Sequence, residues 1–176
     1  MIRKFCILVA SAAAILLSGC ASVVVTDYAK ETPRLDLSTY FNGKVDGWGM
    51  VQDRSGKVIR RMVVEMDCKW NGNEGTLDES FQWSDGKTEK RVWKITKDGD
   101  RYTGQAGDIV GEAQGQASGN TLRWSYTLAL PEEQGGYHMS MDDWMWKIDD
   151  KTLANRTTMT KFGLEFAQIS IFFRKR

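Results

Sequence analysis

The sequence predicts an all-β domain of roughly eight to ten antiparallel strands in up-and-down order, closed into a barrel. Three observations carry this. Apolar and polar residues alternate in several long runs, turn-forming residues recur at short intervals between them, and no segment beyond the N-terminus shows a 3.6-residue apolar period. Two prolines against seventeen glycines in 176 residues fit a tightly turned, strand-rich body.

The strands can be read in order. Residues 22–40 look like a tether, broken at Thr32-Pro33, with Leu35 to Phe41 making one helical turn. From Lys44 the pattern changes to period two. Met62, Val64, Met66, Cys68 and Trp70 alternate with Val63, Glu65, Asp67 and Lys69. Leu122, Trp124, Tyr126, Leu128 and Leu130 alternate with Arg123, Ser125, Thr127 and Ala129. Phe162, Leu164 and Phe166 lead into a last strand, Ile169-Ser170-Ile171-Phe172-Phe173. Strict alternation of this kind marks half-buried strands. Turns are expected at Ser55-Gly56, Asn71-Gly72-Asn73, Asp85-Gly86, Asp98-Gly99-Asp100, Gly119-Asn120, Gly135-Gly136 and Asp149-Asp150, whose residues tolerate positive φ or bond their own backbone. Gly107, Gly111, Gly115 and Gly119 share one strand face and read as bent barrel corners. Closure follows from the edges: a sheet of so many antiparallel neighbours exposes two, and a barrel removes both. A sandwich is the other solution. The barrel domain is expected over residues 41–176.

The first twenty residues form a separate unit. Met1-Ile2-Arg3-Lys4 is a short basic start, and the apolar run Phe5 to Leu17 is too short for a hydrocarbon core of about 30 Å. This is a secretory signal of 1–19. It ends Leu17-Ser18-Gly19-Cys20, which resembles the lipobox of bacterial lipoproteins at all four positions. That resemblance implies cleavage before Cys20 and acylation of its sulfur and new amine. Several acyl chains hold a protein at a bilayer far more firmly than one, since each buried CH₂ contributes about 0.8 kcal/mol. Ala21-Ser22 follows with no aspartate, so the implied destination is the periplasmic face of the outer membrane.

Charge and residue chemistry exclude other classes. The formal net charge is +1, which argues against a nucleic-acid partner held by bulk positive charge. Cys68 shares parity with its apolar neighbours and reads as a small core residue, with no second thiol for a disulfide once Cys20 is acylated. One histidine, His138, and no carboxylates clustered at ligand spacing leave nothing to hold zinc. Gly-x-Ser-x-Gly is absent, and no cofactor motif is present.

The segment Tyr137 to Ile148 is the most informative. Asp142 goes with Trp144, Trp146 and Ile148, while Asp143 goes with Met139, Met141 and Met145, so both faces are apolar and one of them carries a buried or rim carboxylate. Such a strand suits a wall that packs on one face and lines an apolar cavity on the other. Trp48 and Trp124 extend the argument round the sheet, with Tyr126 on the face of Trp124. Arg91 runs with Trp93 and Ile95, and Arg156 runs with Thr158, Thr160 and Phe162. A cation in an apolar cup meets a carboxylate of the protein, such as Asp143, or of a ligand. Strand-end snorkelling is the plainer alternative.

Several motifs together resemble one family. They are Phe41-Asn42-Gly43-Lys44-Val45-Asp46-Gly47-Trp48-Gly49, Leu77-Asp78-Glu79-Ser80-Phe81, Arg91-Val92-Trp93, Tyr102-Thr103-Gly104-Gln105-Ala106, Asp142-Asp143-Trp144 and Asn155 through Gly163. In these the chain resembles the bacterial lipoproteins of domain of unknown function 3833, over nearly all of its length. The resemblance implies a lipocalin-like envelope protein, often encoded beside fatty-acid-modifying enzymes, and implies no agreed activity.

Three functions fit the residues. The first is a monomeric, membrane-tethered barrel that binds a fatty acid, phospholipid or similar apolar molecule without chemistry. Trp48, Trp124, Tyr126 and Trp144 would line its pocket, and Arg91, Arg156 or Lys161 would meet the polar head. The second is a lipid isomerase or hydratase using Asp143 as acid or base. The third is a structural envelope protein with a filled barrel. The anchor is testable directly: Cys20→Ser should release the protein from the membrane fraction and abolish metabolic labelling with palmitate. A Cys20→Ser protein that stays with membranes would overturn the lipobox reading.

Overall fold

The computed structural model describes residues 22–176, so Cys20 and the signal peptide lie outside the described residues. Ten antiparallel strands form a closed barrel. They are β1 (Gly43–Asp53), β2 (Val58–Asn71), β3 (Glu74–Trp83), β4 (Thr88–Asp98), β5 (Arg101–Gln105), β6 (Ile109–Ser118), β7 (Thr121–Ala129), β8 (His138–Lys147), β9 (Thr152–Lys161) and β10 (Leu164–Lys175). Each strand pairs with its sequence neighbours, and β1 pairs with β10 to close the ring, with Val45 opposite Lys175 and Asp53 opposite Ala167. The up-and-down barrel predicted from alternation and edge closure is therefore the fold.

All seven predicted turns fall between strands. Two connections differ from expectation. Residues 106–108 join β5 to β6, and β9 turns into β10 at Phe162-Gly163, where Phe162 takes φ 52°. Phe162 is thus a hairpin tip, 93% exposed, and not the start of the last strand. Of the four glycines expected on one strand face, Gly107 and Gly119 lie in the connections flanking β6 and Gly115 packs on Trp124, while Gly111 falls in the register shift of β6 between Val110 and Gln114, the one bent corner among them.

Up-and-down order puts alternate hairpins at opposite ends. One end, holding the β2–β3, β4–β5, β6–β7 and β8–β9 turns, is plugged by residues 34–41. Asp36 caps a single helical turn, α1 (Leu37–Tyr40), by accepting from the Ser38 backbone N–H at 2.8 Å. Leu35, Leu37, Tyr40 and Phe41 are buried in the main core with Val45, Val64, Trp93 and Trp124. The Tyr40 hydroxyl donates to the carbonyls of Lys151 and Phe173, and Trp70 Nε1 donates to the Phe41 carbonyl at 2.8 Å. Asp36 also pairs with Lys97, and Leu35 N–H donates to the Gly119 carbonyl. Residues 34–40, expected as tether, are structural. A barrel of ten strands is too wide for its own end residues to seal, so an added apolar segment fills it.

Close approach explains three glycines. A Cβ at Gly104 or Gly115 would lie 2.8 or 2.2 Å from the Trp124 ring, so both positions make room for that indole. A Cβ at Gly119, where φ is +55°, would lie 1.7 Å from the Tyr28 carbonyl. The N-terminal chain therefore lies against the β6–β7 turn. Leu35→Ala should cost about 2–5 kcal/mol of unfolding free energy, read as a lower urea midpoint at unchanged slope. A change within about 0.5 kcal/mol, the range of ordinary surface substitutions, would return this segment to the role of a tether.

Candidate ligand-binding lumen

The parity of each strand decides what faces the lumen. On β3 the inward set is Leu77, Glu79, Phe81 and Trp83; on β4 it is Glu89, Arg91, Trp93 and Ile95. On β7 it is Leu122, Trp124, Tyr126 and Leu128, in register with Met145, Asp143, Met141 and Met139 of β8. All of these except Met139 and Met141 line a cavity of about 550 Å³, entered from the end opposite the plug. Its floor is aromatic: Trp93 meets Trp124 edge-on at 5.6 Å and Tyr126 at 5.4 Å. Near the mouth a second apolar cluster contains Leu128, Met139, Met141, Met159 and Ala167.

Between floor and upper cluster runs a belt of polar side chains. Arg91 Nε and Nη2 both donate to Asp108, at 2.9 and 2.6 Å. Across β3–β4, Arg91 is in register with Glu79, which is 8% exposed and whose Oε2 has no hydrogen-bond partner among the described residues. On the opposite wall Asp143 accepts from the Asn155 amide, and the Thr157 hydroxyl also stabilises its charge. Burial pushes the Glu79 carboxyl up to about 7, with Arg91 opposing and Asp108 and Asp143 adding to the rise. Burial likewise pushes Asp143 up to about 7, against the bonds from Asn155 and Thr157. Burial alone would lower Arg91, but the Glu79 and Asp108 carboxylates outweigh it and leave its guanidinium raised and charged. Tyr126 is raised chiefly by burial.

The residues proposed from sequence divide between the two faces. Arg91, Trp124, Tyr126 and Asp143 come together in the lumen. Arg91 is held by Asp108, however, and not by the Asp143 expected as its internal partner. Trp48 does not line the pocket. It is 49% exposed on the outer wall between Val63 and Phe172. The inward positions of β1 beside it are Gly47 and Gly49, where a Cβ would strike Val64, Phe173 or Ile171. Trp144 also points outward, stacked on Trp146 at 6.1 Å with Tyr28 6.2 Å away. Arg156 lies over Trp146 outside the barrel. Lys161 sits at the rim, 3.3 Å from the Tyr137 ring centroid. Cys68 is buried in the core, its thiol pushed up to about 12 first by burial and then by Glu79.

Glu79, Asp108, Asn155 and Thr157 were not chosen from sequence. For Glu79 the signal was present, since Leu77, Glu79, Phe81 and Trp83 alternate strictly and place a carboxylate on an apolar face. Asn155 and Thr157 share parity with Leu153 and Met159 in the same way. Asp108 lies in the short β5–β6 connection, where no periodicity reports orientation.

A family model described as a protein of unknown function, DUF3833, matches residues 14–175. The chain belongs to the DUF3833 family. No curated protein matches it. Among solved structures, this DUF3833 barrel is similar to a protein of unknown function of the DUF3598 family from Nostoc punctiforme, at 13% identity and TM-score 0.58. That match covers 83% of this chain and 51% of the other, so the DUF3833 chain spans about half the length of the Nostoc protein. It is also similar to the S-type phycobiliprotein lyase of Guillardia theta, at 4% identity and TM-score 0.55, covering 77% of this chain and 88% of that one. At such identities the likeness is one of fold.

The two raised carboxyls make stability depend on pH. Unfolded, both groups ionise near their ordinary values of 4.5 and 3.8; folded, both hold their protons to about 7. The folded state therefore binds more protons between those limits, and its stability falls as pH rises from about 4 to about 7, levelling above. The melting temperature should drop between about pH 5 and pH 8, and the double variant Glu79→Gln/Asp143→Asn should flatten that slope. An equally steep slope in the double variant would place the titrating groups elsewhere.

Proposed function

We propose that this DUF3833 chain is a non-catalytic holder of one apolar, lipid-like molecule, of the fatty acid or phospholipid kind, which it takes into the barrel lumen. The open cavity carries the reading. Its volume falls in the range of small-molecule sites, and its lining is predominantly apolar, with Val and Ile beside Leu, Met, Phe and Trp, and with polar groups converging at mid-depth and at the mouth. A barrel with a purely structural role would have its interior filled by side chains. Acylation of Cys20 would keep the holder beside its supply, on the periplasmic face of the outer membrane. The path of the chain supports that placement. The 3₁₀ turn Val25–Tyr28 packs on β6 and β7, so residues close to Cys20 leave from the wall that carries Tyr28, Trp144 and Trp146. Aromatic side chains of this sort settle at membrane interfaces.

One observation favours a second reading, a lipid isomerase or hydratase: Asp143 has its carboxyl pushed to about 7, where it can exchange a proton in the neutral range. The two readings separate by product, since a holder returns its ligand unaltered.

The experiment is extraction of the purified protein with organic solvent, followed by mass spectrometry and titration of the extracted lipid against the emission of Trp93 and Trp124. A near-stoichiometric lipid is expected. Val64→Trp, which fills the lumen, should weaken binding at least about tenfold, or about 1.4 kcal/mol, while Trp144→Ala and Arg156→Ala, on the outer wall, should leave it within about twofold. Equal loss from inner- and outer-wall variants, or an empty extract with no uptake, would defeat the proposal.

A further inference from the structure

The charges inside the lumen are not balanced, and their imbalance selects the ligand's polar group. The inward-facing cations are already engaged. Arg91 is bound through two nitrogens by Asp108, and Arg60, at the mouth, pairs with Asp85 at 3.0 Å and Glu89 at 3.6 Å while covering the Trp83 ring. Lys90 is exposed at the rim. The carboxylates are not matched in return. Asp143 is met only by the neutral donors Asn155 and Thr157. Glu79 Oε2 has no donor among the described residues, although the side chain is more than nine-tenths buried. In the ring order β3 and β8 lie on opposite sides, so these two acids face each other across the lumen.

A buried acceptor that no protein group satisfies calls for a donor from elsewhere. A ligand carboxylate would instead bring a third acid beside two, with no free cation at that depth to receive it. The remaining unpartnered buried polar atoms, Arg60 Nε and Trp83 Nε1, are donors at the mouth. Trp83 is four residues beyond Glu79 on β3, about 13 Å along the strand.

We propose that the belt of Glu79 and Asp143 takes the hydrogen-bond-donating head of an amphiphile, a primary amine in preference to a hydroxyl, and disfavours an acyl carboxylate. The alkyl chain then runs past Leu128, Met159 and Phe81 toward the mouth, where an acceptor group on the same molecule would meet Arg60 and Trp83. This inference rests on the lumen-binding reading and narrows its ligand class.

The test is calorimetric titration of the full chain with decylamine, decanol and decanoate below their aggregation concentrations, at about pH 8, where both acids are ionised. Decylamine should bind at least about tenfold tighter than decanoate, with decanol between them. Glu79→Gln should weaken decylamine at least about tenfold and leave decanol within about threefold, because the amide oxygen still accepts from a hydroxyl. A melting curve confirms that the variant is folded. Decanoate binding as tightly as decylamine, or decylamine indifferent to Glu79→Gln, would overturn the donor-head inference alone. Failure of all three probes to bind would overturn it together with the lumen reading.

Discussion

Closure of the ring between β1 and β10 is the constraint on which the rest of the molecule depends. In an open sheet a residue may face a solvent side or a packed side according to what covers it. In a closed barrel every strand residue faces in or out, and the pairings between neighbouring strands fix the choice, which is reset only at the register shifts of β1–β2, β9–β10 and β6–β7. The pairing of Trp48 with Val63 and Phe172 sends all three to the outer wall, and the same register turns Val64 and Phe173 inward onto Gly47. The glycines of β1 are the counterpart of that choice. They leave inner space for side chains of the neighbouring strands.

The interior so defined is divided by depth. The plug of Leu35, Leu37, Tyr40 and Phe41 seals one end and joins the aromatic floor of Trp93 and Trp124 in one buried core. Above it, Glu79, Arg91, Asp143, Asn155 and Thr157 form a polar belt within an otherwise apolar tube. Such groups oppose folding when their charges are buried, and both acids respond by holding protons into the neutral range. Replacing buried polar groups of this kind by well-packed apolar side chains is often neutral or stabilising. Unpaired acidity at mid-depth distinguishes this lumen from the interior of an apolar, fully packed barrel.

The outer wall has its own organisation. Arg123, Asp142, Trp144, Trp146 and Arg156 form a ladder of stacked rings and cations across β7, β8 and β9, and the N-terminal chain joins it through Tyr28. Tryptophans on both walls of one barrel therefore serve two surroundings. Inside, Trp93 and Trp124 meet edge-on and Gly104 and Gly115 give Trp124 room; outside, Trp144 and Trp146 stack on each other beneath the guanidinium groups of Arg123 and Arg156.

Strand identity, turn positions and the all-β class were legible because alternation and turn chemistry are local, readable from a handful of neighbouring residues. The inward orientation of Arg91, Trp124 and Asp143 was legible for the same reason, and Glu79 could have been found by the same alternation. Orientation was not legible where both faces of a strand are apolar. In β8 the methionines face the lumen and the tryptophans face out, and only the register of β8 against β7 settles it, because Asp143 lies opposite Trp124. Trp48 was misplaced on the same ground, since in β1 the inward residues are glycines and offer no apolar signal. The partner of Arg91 comes from a connection between strands, and the plug from a segment with no strand period, so neither could appear in a periodic pattern. By itself the sequence determined which residues share a face. The tertiary structure decided which face is inside and which charges meet there, because both depend on pairings between residues far apart in the chain.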